Sequence, residues 1–306
     1  DIEKAQQMVE DAAKNALSDT KIVDENGKPL VVYHGTRLWN PLTGEGGSIF
    51  SESKIGFNSG DEGWYGKGFY FSTEKNIAQR YANSRTGDDR KAGNVISAYL
   101  NIQKPYDIRS KLYGNGSKES QMAAFYKNLS EEFPEFNEEI CGEIYVNGQI
   151  KPLSVRQLNE LYNSLLEKNF KVVKFGDYDY KVLSDFDDNN FANYQKEYSS
   201  ADEVNDKFKI STDYLLEQGA LSKIEAPQNL TQKIGLSESI KRKGYDGIVN
   251  GSEYVAFYPE QIKSAEPITY DNDGNVIPLS ERFNSGNKDI RFSVRGGGEK
   301  ERSSER

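Results

Sequence analysis

The 306 residues include one cysteine, Cys141, and one histidine, His34. A lone cysteine excludes an internal disulfide and a cysteine zinc site. It fits a reducing compartment, so the expected location is the cytoplasm, with delivery into a target or host cell as a further possibility. Cys141 itself is expected to be an inert thiol. A lone histidine excludes a histidine-rich metal centre, and no metal is expected. Basic residues are also the minority: 39 Lys and Arg against 48 Asp and Glu give a net charge of −9. That balance argues against broad binding to nucleic acid or an anionic membrane, but leaves a local basic groove open. No apolar run reaches the length of a membrane span, and no signal-peptide pattern opens the chain. The first residue is Asp1 rather than Met, from which a processed product or a domain of a longer polypeptide is expected. No internal repeat is visible.

Aromatic residues are abundant, at 12% with 19 tyrosines. Tyrosine supplies flat stacking faces as well as packing area. The 27 glycines punctuate the chain, most densely between residues 40 and 68, which read as a long loop.

Helical spacing of Ile2, Ala5, Met8, Val9, Ala12 and Ala16 predicts an N-terminal helix within 1–20. "IVDENGKPLVVYHGT" reads as two strands about an Asn26-Gly27 turn. "GFYFST" predicts a strand leading into a helix over 73–84, with Ile77, Ala78 and Tyr81 inward; "NVISAYLNI" predicts another strand. Residues 111–228 have helical apolar spacing and are expected to form a mostly helical insertion. A helix over 230–243 should stop at Gly244. "YDGIVNGSEYVAFYPEQI" returns to strands about Asn250-Gly251, and "ITYDNDGNVIPL" is a hairpin signal. The core is thus expected over 21–110 and 229–285, followed by a disordered tail over 286–306.

Taken singly, the candidate sites are weak. His34, at the end of "VVYHGT", fits a structural histidine as well as a ligand contact. "GWYGKGFYF" (63–71) matches neither phosphate-loop pattern: Gly68-Phe69 follow Lys67, and Phe71 stands where a third glycine is needed. Its glycines, Gly68 among them, would let the backbone approach a flat ligand, with Tyr65, Tyr70 and Tyr81 as stacking surfaces. "DFDDNN" (185–190) fails as a calcium loop, because Asn190 replaces the turn glycine and Lys196 the bidentate glutamate. Lys241, Arg242 and Lys243 read as an exposed helix end. Glu253 opens an aromatic-rich strand.

As an ordered set the signals converge. His34-Gly35, then "GKGFYF" with Tyr70, then Tyr81 eleven residues on, then Glu253-Tyr254, resemble the H-Y-E class of ADP-ribosyltransferases. That class includes the poly(ADP-ribose) polymerases and diphtheria-toxin-like enzymes. The resemblance covers roughly 30–108 and 235–268; "GYDGIV" and "KDIRFS" are similar to modules of bacterial and phage polyvalent or polymorphic toxin proteins. Two features depart from the pattern. Ala78 stands where the family often has a serine that touches the nicotinamide amide. Gly251 stands two residues before Glu253, against the R-S-E class of toxins. The tRNA 2′-phosphotransferases share an "HGT" start but need a second histidine.

The resemblance implies an α+β fold: a split β-sandwich of two mainly antiparallel sheets with a helical insertion and the NAD⁺ cleft between the sheets. It implies mono-ADP-ribosyl transfer from NAD⁺, as substrate, to a macromolecular acceptor, with protein favoured over nucleic acid. A toxin or effector module is the expected setting. Alternatives are an NAD⁺ glycohydrolase toxin, a transferase acting on nucleic acid, and a non-catalytic module. Glu253, His34 and Tyr70 are the implied catalytic residues. Glu253 would bond the ribose beside nicotinamide and stabilise an oxocarbenium-like transition state. His34 would bond the adenosine ribose, Gly35 the nicotinamide amide through its backbone, and Thr36 would add a hydroxyl. Gly35 would be glycine because a side chain would crowd that approach. Tyr70 and Tyr81 would stack on the ligand, at about 1–3 kcal/mol per face by analogy with base stacking.

Overall fold

The β-branched and aromatic run before the histidine forms strand β1, Val32–Thr36, and "FYFS" forms β2, Phe69–Ser72. The computed structural model to which these belong describes residues 1–36, 50, 52, 55, 63–83, 94–115, 118–146, 149–160, 171–175, 179–183, 221–283 and 287–291. The chain divides into two compact units, Asp1–Asp107 with Gly235–Arg306, and Ile108–Ile234.

The first unit is built on a seven-stranded sheet. Besides β1 and β2 it contains β3 (Asn94–Leu100), β4 (Pro105–Asp107), β10 (Gly247–Asn250), β11 (Glu253–Ala256) and β12 (Ile262–Ser264), in the order β12-β3-β1-β2-β11-β10-β4. All neighbours are antiparallel except β10 and β4. β1 pairs with β3 along its whole length, but with β2 at one position, Tyr33 opposite Ser72. The two expected sheets are therefore two halves of one strand order, β12-β3-β1 and β2-β11-β10-β4, joined by a single rung.

Strand alternation sorts the side chains. One face carries Val32, Phe69, Phe71, Ala98, Leu100 and Ala256 into a core with Phe50 and Ile102. The other carries Tyr99 against helix α1, Ile2–Ala16, through Val9, Ala13 and Leu17. α1 is thus rotated from the expected face, since Ile2 and Met8 are exposed. Helix α2, Lys75–Asn83, buries Ala78 and Ala82, and Tyr81 is exposed rather than inward. A Cβ on Gly35 would lie 1.9 Å from the Ala78 carbonyl oxygen. The structure thus requires glycine at 35 because α2 lies against β1, independently of any ligand.

The expected helix over 230–243 is two, α4 (Pro227–Ile234) and α5 (Leu236–Arg242), broken at Gly235 with φ 60°. Gly244 follows α5 with φ 84°. The hairpins at Asn26-Gly27 and Asp273-Gly274 are reduced to single bridges, Val23 with Pro29 and Tyr270 with Val276. Residues 287–291, expected in the tail, pack: Ile290 is buried and its carbonyl accepts from Ser264 N. The expected disorder of 292–306, the rejected calcium loop at 185–190, and the loop reading of 40–68 apart from 50, 52, 55 and 63–68 lie outside the described residues.

The second unit holds α3 (Lys118–Glu132), a three-stranded sheet in the order β6 (Gln149–Ser154), β5 (Ile140–Val146), β9 (Leu221–Ile224), and the pair β7 (Lys171–Phe175) and β8 (Asp179–Leu183). Five strands stand beside α3 among its described residues, where a mostly helical insertion was expected, and residues 161–170 and 184–220 of that segment lie outside the described residues. "KVVKF" and "YKVL" are short β-branched runs that the longer helical windows around them obscured. Leu112, Phe125, Tyr126, Leu129 and Phe133 are fully buried. Cys141 is buried too, and desolvation pushes its thiol up to about 12, which makes it inert. No helix among the described residues is long and apolar enough to cross a membrane.

Gly35→Ala should destabilise the first unit by about 3 kcal/mol or more, because the clash is with helix backbone and cannot rotate away. Urea unfolding measures this. An unchanged midpoint would refute the helix-on-strand contact.

Candidate active site

Past the Tyr33–Ser72 rung, the segment His34–Thr36 faces Phe69–Phe71 without a further register pair. The His34 ring spans this gap. Its Nδ1 lies 2.7 Å from the Tyr70 carbonyl oxygen. A carbonyl has no proton to give, so Nδ1–H donates. Burial disfavours the imidazolium and lowers the pKa below 6.5, with the Tyr70 carbonyl a smaller opposing influence. The ring is therefore neutral at pH 7, and Nε2 is a lone-pair acceptor. Phe50 meets the ring edge-on at 5.2 Å, and Phe71 lies tilted at 5.4 Å.

Tyr70 is fixed from the glycine-rich loop that precedes it. Its hydroxyl donates to Gly66 O at 2.7 Å and accepts from Tyr65 N at 3.0 Å. The Tyr65 ring stacks on it, with centroids 6.3 Å apart and planes inclined by 18°. One face of Tyr70 is thus taken by Tyr65.

Glu253 opens β11 directly opposite Ser72 on β2 and Asn250 on β10. Tyr70 stands opposite Val255, so it is the diagonal neighbour of Glu253 on the same face, about 7–8 Å away. Burial pushes the Glu253 pKa up, and a hydrogen bond from the Tyr65 hydroxyl works against that shift. Asn250 Nδ2 donates to the same hydroxyl at 2.5 Å.

Alternation puts His34 on the opposite face from Tyr70 and Glu253, on the side of Phe71. Two inter-strand spacings, across β2, and one residue of offset separate His34 from Glu253, about 10 Å or more between Cα atoms. Of the remaining candidates, Gly35 lies in β1, Thr36 is buried at its end, and Gly68 is buried where β2 begins, against Val255. Tyr81 is 53% exposed on α2. Ala78, at the position of the family's serine, is buried against Gly35.

The family described as ADP-ribosyltransferase in polyvalent proteins matches residues 24–272. The chain belongs to this family. The matched span includes His34, Tyr70, Tyr81 and Glu253, and the transferase has the mixed α+β fold that the resemblance implied. No curated protein and no solved structure matches the chain.

Sequence reading took Tyr65 for a stacking surface. In the structure it is 2% exposed, and its ring stacks on Tyr70 within the fold instead. It also missed Asn250. The two-residue turn Gly251-Ser252 was the available signal, because it sets Asn250 opposite Glu253.

Since the chain has one histidine, its imidazole NMR signals need no assignment. The titration midpoint should fall below 6.5, with the proton on Nδ1 in the neutral form. The stability linked to this ring should be full above pH 6.5 and decline as pH falls through the lowered pKa. A midpoint at or above 6.5 would refute the enclosed, neutral ring.

Proposed function

We propose that this transferase moves one ADP-ribose unit from NAD⁺ to a protein acceptor, as a toxin or effector module. The observation that supports the reading is the bond of the His34 ring to the Tyr70 carbonyl, with Glu253 diagonal to Tyr70 on the next strand, all within the matched family span. The side chains suit the dinucleotide. A neutral imidazole with Nε2 as acceptor fits a sugar hydroxyl. The edge of β1 past Tyr33 fits a carboxamide, which both donates and accepts. The exposed ring of Tyr81 fits the flat nicotinamide, with Tyr70 as the second ring that the resemblance implies.

In the reaction, the bond between nicotinamide nitrogen and the ribose anomeric carbon breaks, and its electron pair leaves with nicotinamide. The acceptor's nucleophilic atom forms the new bond to that carbon and loses its proton. Positive charge develops on the ribose between these events. Glu253, accepting from a ribose hydroxyl, would lie beside that charge in a half-buried setting where a carboxylate acts more strongly than in water.

The net charge of −9 supports a protein acceptor over nucleic acid, whose phosphates it repels. The matched family is that of polyvalent proteins rather than the polymerases, which supports transfer of a single unit.

Labelled NAD⁺ incubated with a cell lysate should leave label that protease removes and nuclease does not. Free labelled ADP-ribose without adducts would identify a glycohydrolase instead. Glu253→Gln should slow nicotinamide release by on the order of 10²–10³, the scale for losing one transition-state electrostatic group; an unaffected rate would remove Glu253 from the mechanism. Tyr81→Ala should weaken NAD⁺ binding by about 1–3 kcal/mol in calorimetry. Unchanged affinity would exclude Tyr81 as a stacking surface.

A further inference from the structure

Tyr65 is tied at every polar atom and at its ring. Its backbone N donates to the Tyr70 hydroxyl, and its carbonyl accepts from Ser237 N at 2.7 Å. Its ring stacks on Tyr70, and its hydroxyl accepts from Asn250 Nδ2. An oxygen that accepts from the Asn250 amide has its own proton left to give, and the side chain opposite Asn250 on the neighbouring strand is the Glu253 carboxylate, whose ionised form the Tyr65 hydroxyl favours. Such fixation exceeds what packing of a buried ring requires. It gives the carboxylate one donor of defined direction.

We propose that Tyr65 is a positioning residue for the transfer reaction: its hydroxyl, oriented by the Asn250 amide, holds the Glu253 carboxylate in its working orientation. This rests on the functional reading above. Among the described residues, the groups that face Glu253 are few. β2 presents Ser72 opposite and Tyr70 on the diagonal, β10 presents Asn250, and the glycine-rich loop presents Tyr65. The Tyr70 hydroxyl is engaged by Tyr65 N and Gly66 O. Ser72 Oγ accepts from Glu74 N, and the Tyr65 hydroxyl is the described neighbour that favours the ionised form of Glu253 against the burial that opposes it.

The test is Tyr65→Phe, which keeps the ring stack and removes the hydroxyl. Two readouts are taken. The first is the side-chain carboxyl carbon of Glu253, titrated by NMR and assigned by its loss in Glu253→Gln. The second is the pH profile of kcat/KM for nicotinamide release. Removing a donor to the charged form disfavours that form, so both midpoints should rise by about one pH unit, the scale of one such bond to a carboxylate. The maximal kcat should fall by about tenfold or more, and KM for NAD⁺ should stay as in the wild type. A uniform loss of activity with both midpoints unmoved would mean that Tyr65 is only structural, and would overturn the proposal. If wild-type protein releases no nicotinamide at any pH, the functional reading falls and takes the catalytic half of the proposal with it. The carboxyl titration then still decides whether Tyr65 governs Glu253. Should Tyr65→Phe not fold, Asn250→Ala replaces it. That variant frees the hydroxyl to rotate and should move both midpoints in the same direction by less; unmoved midpoints overturn the proposal.

Discussion

The first unit depends on how its sheet stays whole while opening between β1 and β2. A β-ladder is held by backbone pairs, and here the ladder is reduced to the rung at Tyr33 and Ser72. The next cross-strand link is made by a side chain, the His34 ring donating to the Tyr70 carbonyl. An imidazole suits this place because it is rigid, long enough to cross the gap, and has a different polar atom at each end. Nδ1–H satisfies the protein, and on the proposed reading Nε2 is the acceptor toward the dinucleotide. One residue thus ties the two halves of the sheet together and sets the polarity of the opening between them.

That opening is held by packing on both sides. Below β1 and β2 lies the aromatic core of Phe50, Phe69 and Phe71, which encloses the imidazole and keeps it neutral. Above β1, α2 comes so near that only a glycine fits at 35. On β2, Tyr70 is pinned through its hydroxyl and stacked against Tyr65, so its ring is set before any ligand arrives. Ordering these groups during folding removes an entropy cost from binding.

Much of this was legible because it follows local rules. The "VYHGT" and "FYFS" runs are strands by their β-branched and aromatic content, and the turn at Gly251-Ser252 places Glu253 at a strand start. The ordered set His34, Tyr70, Tyr81 and Glu253 pointed to the family that the comparison gives. What escaped depends on long-range contacts. The partner of His34 is a backbone carbonyl, which has no sequence identity to read. The reason for Gly35 is a helix more than forty residues further on. The inward face of α2 falls on Ala82 rather than Tyr81 because close approach to β1 selects small residues there, against the hydrophobic ranking used to phase the helix. Gly235 breaks a helix that apolar spacing alone would run on to residue 243.

Glu253 shows why such a site needs more than its three named residues. A carboxylate partly removed from water is costly to keep ionised, and yet an ionised carboxylate is what a positively charged sugar requires. Among the described residues, burial and the Tyr65 hydroxyl are the influences on Glu253, and neither is a cation. A fixed lysine or arginine alongside would hold the carboxylate ionised, but it would also neutralise the field that the transition state is meant to feel. A phenol donates a hydrogen bond without adding net charge. It restores part of the ionisation that burial removes and leaves the negative charge to act on the ribose. The choice of a tyrosine at 65, and of an asparagine at 250 to aim it, is the arrangement expected where the missing positive partner arrives only during the reaction.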